Sequence, residues 1–523
     1  MAAAAAEAGL AVLAVGFVGF LLEGGAVDAT GSPAPLVRLV AGRVGGRTEG
    51  GLAVFRGMPF ARPPVGELRL AAPRPVEPWA GVREAVAFGP APPQSRALGA
   101  PATPDADGDW LTVNVWSPDI GAARLPVMVW IHGGGYVYGW SGDPLFDGAV
   151  LARDGVVVVT FNYRLSAEGF GHFHGAPANR GLLDQVAALR WVQDNIAAFG
   201  GDPDRVTVFG ESAGAGCIAA LLAMPSATGL FHRAIAQSVP GVYFTEALAG
   251  DIAAAVATAV TGRSGPAASA PELAGLPPSR LNDAADVVAA RMAGELRWGL
   301  AAYLRVPFAP VVDGEVLPAV PWQAASGVPL VVGHTRDEYR LFLALEGLLG
   351  QVTPEQADVA LHRLAPDPAA YRAAHPAAGP ERLYELLHSD RLFRMPSLRL
   401  AQTHRRHGPT YLYELGWNAP GMGGRLGACH GLGLPLTFGN LTAGAAAFLI
   451  GDPPPPEAAS LAARVRSAWT SFAATGDPGW PAYDPRERRT WIIDTEPAVR
   501  GYPEDTSRRL WADDPFAPVD LAR

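Results

Sequence analysis

Residues 205–223 read RVTVFGESAGAGCIAALLA, and this stretch decides the fold class. An apolar strand pattern at 205–209 runs into Gly-Glu-Ser-Ala-Gly at 210–214, and a small-residue helical pattern follows from 213 to 223. A serine between two glycines, at the turn from a strand to a helix, is typical of a nucleophile elbow, in which a tight turn exposes the hydroxyl. The pattern therefore predicts that Ser212 is a nucleophile.

A second glycine-rich motif supplies what such a serine needs. A serine hydroxyl is a weak nucleophile at neutral pH, so it requires a base and a site for the negatively charged oxygen of the intermediate. Residues 132–135 read His-Gly-Gly-Gly and directly follow the apolar run Leu125–Ile131. Glycines at this position let backbone N–H groups turn toward that oxygen. We expect Gly134, Gly135 and the backbone N–H of Ala213 to form this oxyanion hole.

The base is expected to be a histidine that follows the serine in the chain, because the order in this kind of site is serine, acid, histidine. His430 stands in the small-residue stretch 427–431, which allows an imidazole to reach over a site. His404 and His407 lie in an Arg-rich stretch that we expect to be solvated. The residues therefore favour His430.

Two adjacent carboxylates compete for the role of the acid. Asp337 and Glu338 both follow the strand-like run 328–333. A carboxylate in this role orients the imidazole and stabilises its charged form. Local sequence evidence leaves both residues open.

Strand-like and helix-like stretches alternate around these motifs. Val156–Phe161 is a continuous apolar run, typical of a strand that is buried on both faces. Residues 182–199 carry apolar side chains three and four positions apart, which is the pattern of an amphipathic helix. This alternation predicts an α/β fold with a mostly parallel central sheet. The Ala-rich segments 250–305 and 355–410 are expected to add helices that cap the sheet.

The composition excludes several classes of function. The chain has 523 residues, of which 49% are apolar and 17% charged, and this excludes an intrinsically disordered protein. The net charge is −9, whereas a nucleic-acid-binding protein needs a basic surface, so no nucleic-acid partner is expected. Two cysteines, Cys217 and Cys429, are too few for a disulfide scaffold, and we expect free thiols. Because common metal and phosphate motifs are missing, we expect neither metal nor cofactor.

The first 35 residues differ from the rest of the chain. Residues 8–22 form an apolar run of 15 residues, the length of a signal-peptide core, and small residues follow near Ala26 and Ala29. The run is too short to span a membrane, and the early charge is Glu7 instead of a positive residue. We expect a leader over residues 1–35, favouring secretion over a cytoplasmic location, and one catalytic domain over residues 36–523.

Many stretches of the chain resemble the type-B carboxylesterase/lipase family, which includes the cholinesterases, in the same order and with similar spacing. The longest is residues 179–216, and the others are FRGMPFARPPVGELR (55–69), PWAGVREAVAFGP (78–90), LTVNVWSP (111–118), FNYRL (161–165), GLFHRAIAQS (229–238), FAPVVDGEVLP (308–318), GHTRDEYRLF (333–342) and TGDPGWPAYDP (475–485). The resemblance covers about residues 36–490. It implies an α/β-hydrolase fold and a cofactor-free enzyme that cleaves small-molecule carboxylic esters.

The resemblance also implies roles that the local pattern leaves open. The acid of the family falls on Glu338 and its base on His430, and with Ser212 they complete a Ser-Glu-His triad. Ser238 matches a serine that supports the acid. Glu211 occupies the acidic position before the nucleophile, where it shapes the electrostatics near the histidine or serves as a structural carboxylate.

Two further positions next to the triad follow from the same comparison. Asp337 is left with a structural role once the acid is assigned to its neighbour. Gly433 stands three residues after the expected base, where the family often has an acidic residue. This departure puts the support of the histidine in doubt but leaves the three triad positions filled.

Two other functions are compatible with this machinery. The same triad would also serve a carbamate or amide hydrolase, because the chemistry differs only in the leaving group. A non-catalytic, cholinesterase-like binding protein is a remote alternative, since such proteins lack members of the triad whereas here all three positions are filled.

The chain departs from the family pattern in one loop. Pro92 and Trp110 stand where the family commonly has two cysteines that close this loop with a disulfide. The usual arginine partner of the loop is retained as Arg69, and we expect it to pair with Asp109 or Asp107. The resemblance therefore implies a loop that lacks its covalent closure.

The same loop generates a prediction about substrate charge. Cholinesterases hold a quaternary ammonium over an aromatic ring, an attraction of roughly 0.5–2 kcal/mol, and the ring that matters most lies inside this loop. Residues 93–109 contain no Phe, Tyr or Trp. We expect kcat/KM for butyrylcholine to be no higher than for its neutral isostere, 3,3-dimethylbutyl butyrate. A clear preference for the cation would contradict this prediction.

Overall fold

The computed structural model describes residues 34–96, 108–122, 124–263, 269–324 and 326–522. Residues 1–33 of the predicted leader lie outside these ranges, and so do residues 97–107 of the loop that lacks the disulfide. The first strand begins at Leu36, where the predicted catalytic domain starts.

The strands are short, and those at the centre of the molecule are buried on both faces. In chain order they are β1 Leu36–Arg38, β2 Arg43–Gly45, β3 Arg47–Glu49, β4 Leu52–Pro59, β5 Val82–Glu84, β6 Thr112–Ser117, β7 Leu125–Ile131, β8 Val157–Phe161, β9 Gly201–Glu211, β10 Arg233–Gln237, β11 Phe244–Thr245, β12 Val311–Val312, β13 Leu330–Thr335, β14 Thr410–Leu415, β15 Arg489–Ile493 and β16 Ala498–Gly501. Eleven of them form one sheet in the order β16-β15-β14-β13-β10-β9-β7-β8-β6-β4-β3.

Neighbouring strands run parallel from β8 through β7, β9, β10, β13 and β14 to β15. Antiparallel pairs extend the sheet at both ends, from β8 to β3 and from β15 to β16. The predicted mostly parallel sheet is therefore confirmed. In a parallel sheet the carboxyl ends of the strands meet at one edge, and ligands bind outside that edge.

The α-helices cover the sheet and fill the segments between strands. They are Ala149–Arg153, Ser166–Phe170, Arg180–Asn195, Ala213–Ala223, Glu246–Thr261, Ala270–Ala274, Pro278–Arg291, Gly299–Leu304, Arg340–Leu345, Pro354–Leu364, Pro368–Ala374, Pro380–Ser389, Met395–His404, Gly433–Phe438, Ala446–Ile450, Pro456–Thr475 and Asp505–Leu510. The described residues of the Ala-rich segments 250–305 and 355–410 are mostly helical, as predicted.

Some predicted element bounds agree with the structure and others shift for identifiable reasons. Strand β7 and the helix Ala213–Ala223 have the predicted bounds. Strand β9 extends beyond 205–209 because it pairs with β7 on one side and β10 on the other. The helix predicted over 182–199 ends at Asn195, and a 3₁₀ turn continues to Gly200, whose φ of 80° ends it.

The core lies on both faces of the sheet because its central strands carry apolar side chains on both faces. On β7, Met128 and Trp130 belong to one buried cluster, whereas Val129 and Ile131 belong to the other. Successive residues of a strand point to opposite faces, so both faces require apolar cover. The ring of Trp130 packs 4.9 Å from Phe209 on the neighbouring strand β9.

Cys217 and Cys429 are buried free thiols, as predicted. Within the described ranges, no helix combines the length and hydropathy that crossing a membrane requires. Across the same ranges, His, Cys, Asp and Glu side chains form no group of three suited to hold a metal ion.

Buried ion pairs hold the loops near the sheet edge. Arg164, which follows β8, pairs with Asp184 through Nε at 2.8 Å and Nη2 at 2.8 Å, and both side chains are buried. Arg69 pairs with Glu168 at 2.5 Å, so its expected pairing with Asp109 is wrong. Glu168 is almost fully buried and supplies the buried countercharge that a buried guanidinium requires. The alternative partner Asp107 lies outside the described residues.

The Arg164–Asp184 pair yields a stability prediction. Asp184→Ala leaves a buried guanidinium without its countercharge, which costs about 3–5 kcal/mol of the free energy of unfolding. Glu77→Ala removes an exposed partner of Arg62 and should cost less than about 1 kcal/mol. Urea unfolding followed by tryptophan fluorescence measures both values, and equal costs would contradict the prediction.

Candidate active site

Ser212 occupies the turn between β9 and the helix Ala213–Ala223. Its φ of 57° and ψ of −126° are rare for a residue with a side chain. Its backbone N–H donates to the carbonyl of Gln237 at 2.9 Å, and its carbonyl accepts from the N–H of Gly216 at 2.9 Å. These hydrogen bonds hold the strained turn, as is common at functional sites.

The glycines on both sides of Ser212 are required by close packing. A Cβ at Gly210 would lie 2.6 Å from the carbonyl oxygen of Ile131, and a Cβ at Gly214 would overlap the same oxygen. The turn therefore presses against the end of β7. This contact explains why Gly-x-Ser-x-Gly needs both glycines, a reason that the sequence pattern alone does not give.

The loop after β7 lies beside the serine. A Cβ at Gly133 would lie 3.1 Å from Cβ of Ser212. Gly134 and Gly135 adopt φ of 106° and 61°, which glycine accommodates without steric cost. Within the part of the chain that the structure describes, their backbone N–H groups donate no hydrogen bond. These two donors are thus available to a ligand near Ser212.

His132 of the same loop is a structural residue. Its ring stacks on Tyr163 with 4.4 Å between ring centroids, and the Tyr163 hydroxyl donates to the His132 carbonyl at 2.7 Å. Burial lowers the pKa of His132 to about 4, so the ring is neutral. Tyr163, in the FNYRL stretch, therefore holds the glycine loop in place through this ring contact and this hydrogen bond.

Glu338, and not Asp337, contacts the predicted histidine. Nδ1 of His430 lies 2.6 Å from Oε2 of Glu338, and the Thr335 N–H donates to Oε1 at 2.8 Å. The hydroxyl of Ser238 also donates to this carboxylate. Asp337 instead pairs with Arg382 at 3.2 Å and accepts from the N–H of Ala428 at 3.1 Å. The structure thus separates the two carboxylates that the local sequence leaves open.

Glu211 places a second carboxylate beside the imidazole. Its Oε1 lies 3.1 Å from Nε2 of His430, and the N–H of Gly431 donates to the carboxylate. Burial raises the pKa of Glu211 to about 7, although the histidine opposes that rise.

Charge and burial act in opposite directions on the His430–Glu338 pair. Burial lowers the pKa of His430, but the charges of Glu211 and Glu338 outweigh it and raise that pKa above its usual value. Burial raises the pKa of Glu338, but His430 and the hydrogen bonds from Ser238 and Thr335 lower it overall. The pair therefore favours an ionised acid beside a histidine that readily accepts a proton.

Two aromatic rings that sequence reasoning missed pack against His430. The ring of Phe393 lies 4.3 Å from the imidazole centroid and that of Phe342 lies 5.2 Å away. Phe393 belongs to a π-helical turn, Asp390–Arg394, which no local pattern indicates. Phe342 lies in the family-like stretch 333–342, and its position four residues after the acid was an available signal.

The other histidines considered as bases lie apart from this site. His404 is buried, with 3% of its surface exposed, and its Nε2 contacts the carbonyl of Val328 at 2.5 Å. The expectation that His404 is solvated is therefore wrong, because it packs against Val328, just before β13. His407 is exposed, as predicted.

Comparison with known proteins identifies this arrangement. A sequence model described as the carboxylesterase family matches residues 33–511. The chain belongs to the carboxylesterase family. The predicted type-B carboxylesterase/lipase family is thereby confirmed.

Individual relatives agree with the family match. Para-nitrobenzyl esterase of Bacillus subtilis (strain 168) is 40% identical over 490 residues, covering 90% of this chain and 96% of the relative. Phenmedipham hydrolase of Pseudarthrobacter oxydans is 36% identical over 483 residues, covering 89% of this chain and 96% of the relative. The similarity therefore extends over nearly the whole length of both relatives.

Solved structures agree as well. A PNB esterase superposes with a TM-score of 0.80 at 38% identity, covering 91% of this chain and 99% of that chain. A Geobacillus stearothermophilus carboxylesterase superposes with a TM-score of 0.79 at 35% identity, covering 91% and 99%. The predicted α/β-hydrolase fold is confirmed. This carboxylesterase is a serine hydrolase of carboxylic esters, and its substrate is a small-molecule ester.

Proposed function

We propose that Ser212, His430 and Glu338 are the catalytic triad of this carboxylesterase, in one catalytic domain that begins at residue 36. The observation that carries the proposal is the 2.6 Å contact between Nδ1 of His430 and Oε2 of Glu338. A carboxylate on Nδ1 fixes the ring so that Nε2 is the atom that takes a proton. Nε2 is buried, and its one close polar neighbour among the described residues is Oε1 of Glu211 at 3.1 Å, a carboxylate that favours the protonated ring.

The proposed reaction proceeds through an acyl-enzyme. Oγ of Ser212 attacks the ester carbonyl carbon while His430 takes the hydroxyl proton, and the carbonyl oxygen becomes an anion. The anion collapses, the bond to the alcohol oxygen breaks, and His430 returns the proton to the departing alcohol. Water then repeats the sequence on the acyl-enzyme and releases the acid.

The proposed oxyanion hole consists of the backbone N–H groups of Gly134, Gly135 and Ala213. The positive φ of both glycines and the position of Gly133 beside Ser212 support this assignment. Loss of one such donor typically costs about 3–4 kcal/mol of transition-state stabilisation. Ser238 is proposed to hold the acid ionised, and Glu211 to stabilise the charged histidine.

The nucleophile is tested first. Ser212→Ala should lower kcat by about 10⁶, because triad members act as a unit. A fluorophosphonate should label the wild type at this one serine, as read by peptide mass spectrometry. Retention of a tenth of the activity by the variant, or a label at another residue, would overturn the assignment.

The acid is tested with a matched pair of neighbours. Glu338→Gln removes the anion that orients His430 and should lower kcat by about 10³–10⁴. Asp337→Asn alters the carboxylate next to it, which binds Arg382, and should keep activity within about tenfold. If the larger loss follows the Asp337 change, the acid has been assigned to the wrong residue.

The base is tested by the pH dependence of kcat/KM for an uncharged ester. Only the neutral imidazole accepts the serine proton, so activity is present above the pKa of His430 and is lost as pH falls through it. Because the neighbouring carboxylates raise that pKa, the midpoint should lie above 6.5.

Glu211→Gln removes the largest raising charge and should move the midpoint to lower pH. Glu77→Gln, an exposed carboxylate paired with Arg62, serves as the control and should leave the midpoint in place. An unchanged midpoint in the Glu211 variant contradicts the proposed electrostatic role.

A further inference from the structure

A small cavity of about 10 Å³, lined in part by Glu211, lies among β9, β10, β13, β14 and the helix Gly433–Phe438. A cavity of this volume has room for the centre of one water molecule, provided that polar groups line it. Much of the wall is apolar, with Leu415, Leu436 and Val465 among the lining residues. The polar groups are therefore few and can be named individually.

Three lining residues each contribute a buried polar atom without a hydrogen-bond partner among the described residues. These atoms are Nε2 of Gln237, Oγ1 of Thr335 and Nε1 of Trp469. Glu211 also lines the cavity, and its Oε1 lies 3.1 Å from Nε2 of His430. The orientation of the Gln237 amide is set by its other end, because Oε1 accepts from the Thr437 hydroxyl at 3.0 Å. An unsatisfied buried polar group costs about 1–3 kcal/mol, so three around one cavity indicate a shared partner.

Gly433 is the residue that leaves this space open. A Cβ at Gly433 would meet Oε1 of Gln237 at 3.8 Å and Cδ2 of Leu415 at 3.9 Å, which are ordinary contact distances. The backbone therefore does not require glycine here. A side chain at this position would enter the cavity.

We propose that one internal water occupies this cavity and that Gln237, acting through it, is a positioning residue for Glu211. Nε2 of Gln237 donates to the water, and the water donates to the Glu211 carboxylate and contacts the Thr335 hydroxyl. The inference rests on the proposed triad, because its effect is read through His430. The space left by Gly433 is thus filled by a neutral hydrogen-bond relay in this chain.

The groups around Glu211 determine in which direction loss of the relay shifts the pKa of His430. The ionisable groups that face it are His430, Glu338, Tyr413 and Tyr138. Burial raises the pKa of Tyr138 to about 12 and raises that of Tyr413 well above 10, so both stay neutral. Removing a donor to the Glu211 carboxylate disfavours its ionised form. Because the negative charge of Glu211 raises the pKa of His430, a less ionised Glu211 leaves that pKa lower.

Two variants test the relay independently. Gln237→Met removes the donor but keeps the backbone carbonyl that binds the Ser212 N–H. Gly433→Ala places a methyl group in the cavity and displaces the water. Each should move the acid limb of kcat/KM for an uncharged ester to lower pH by about half a unit. Gly379→Ala, at an open glycine with no atom within 4 Å of the added Cβ, is the control and should leave the limb in place.

The Glu211→Gln background separates this inference from the proposed function. In that background, neither Gln237→Met nor Gly433→Ala should move the limb further, because the charge they act on is gone. A crystal structure of the wild type should contain a solvent peak within hydrogen-bond distance of Nε2 of Gln237.

Three results overturn the relay: a cavity without solvent density, an unmoved limb in either variant, or an equal shift in the Glu211→Gln background. If Glu211→Gln itself leaves the limb unmoved, the proposed electrostatics of the triad fail instead.

Discussion

The parallel arrangement of β7, β9 and β13, with β10 between the last two, is the constraint on which the site depends. The three strands end at Ile131, Glu211 and Thr335. Because they run in the same direction, the glycine loop, the serine turn and the turn that carries Glu338 all emerge at one edge of the sheet. Apolar side chains pack on both faces of these strands, so the order of strands in space fixes the order of these groups along the edge.

At this edge, close packing holds Ser212 in a strained turn. Gly210 and Gly214 press against the end of β7, and Ser212 adopts a backbone conformation that is costly for a side-chain-bearing residue. Hydrogen bonds from the adjoining strand and helix hold it there. The same tight packing buries His430, Glu338 and Glu211 away from bulk solvent, which strengthens every charge interaction among them. Close packing at the sheet edge is therefore the origin of both the backbone strain at Ser212 and the strong charge interactions around His430.

Much of this arrangement could be predicted from the sequence, because its signals are local. The strand–turn–helix pattern around Ser212 and the glycine run at 132–135 each lie within a few residues, and their helix and strand bounds agree closely with the structure. The two expectations that proved wrong involve partners that are far apart in the sequence. Arg69 finds its carboxylate at Glu168, and His404 packs against Val328. No short-range pattern encodes contacts between such separated residues.

The sequence by itself determined the nucleophile motif, the glycine loop, the alternating α/β pattern and the family resemblance, because each depends on neighbouring residues. The local pattern left Glu338 and Asp337 open, and the resemblance favoured Glu338. The tertiary structure gave the physical reason, since these adjacent residues in a turn point in different directions and reach different partners. It also brought Phe393 against His430 and left polar atoms around the cavity beside Gly433. Those features arise from elements far apart in the chain, and their packing in three dimensions decided them.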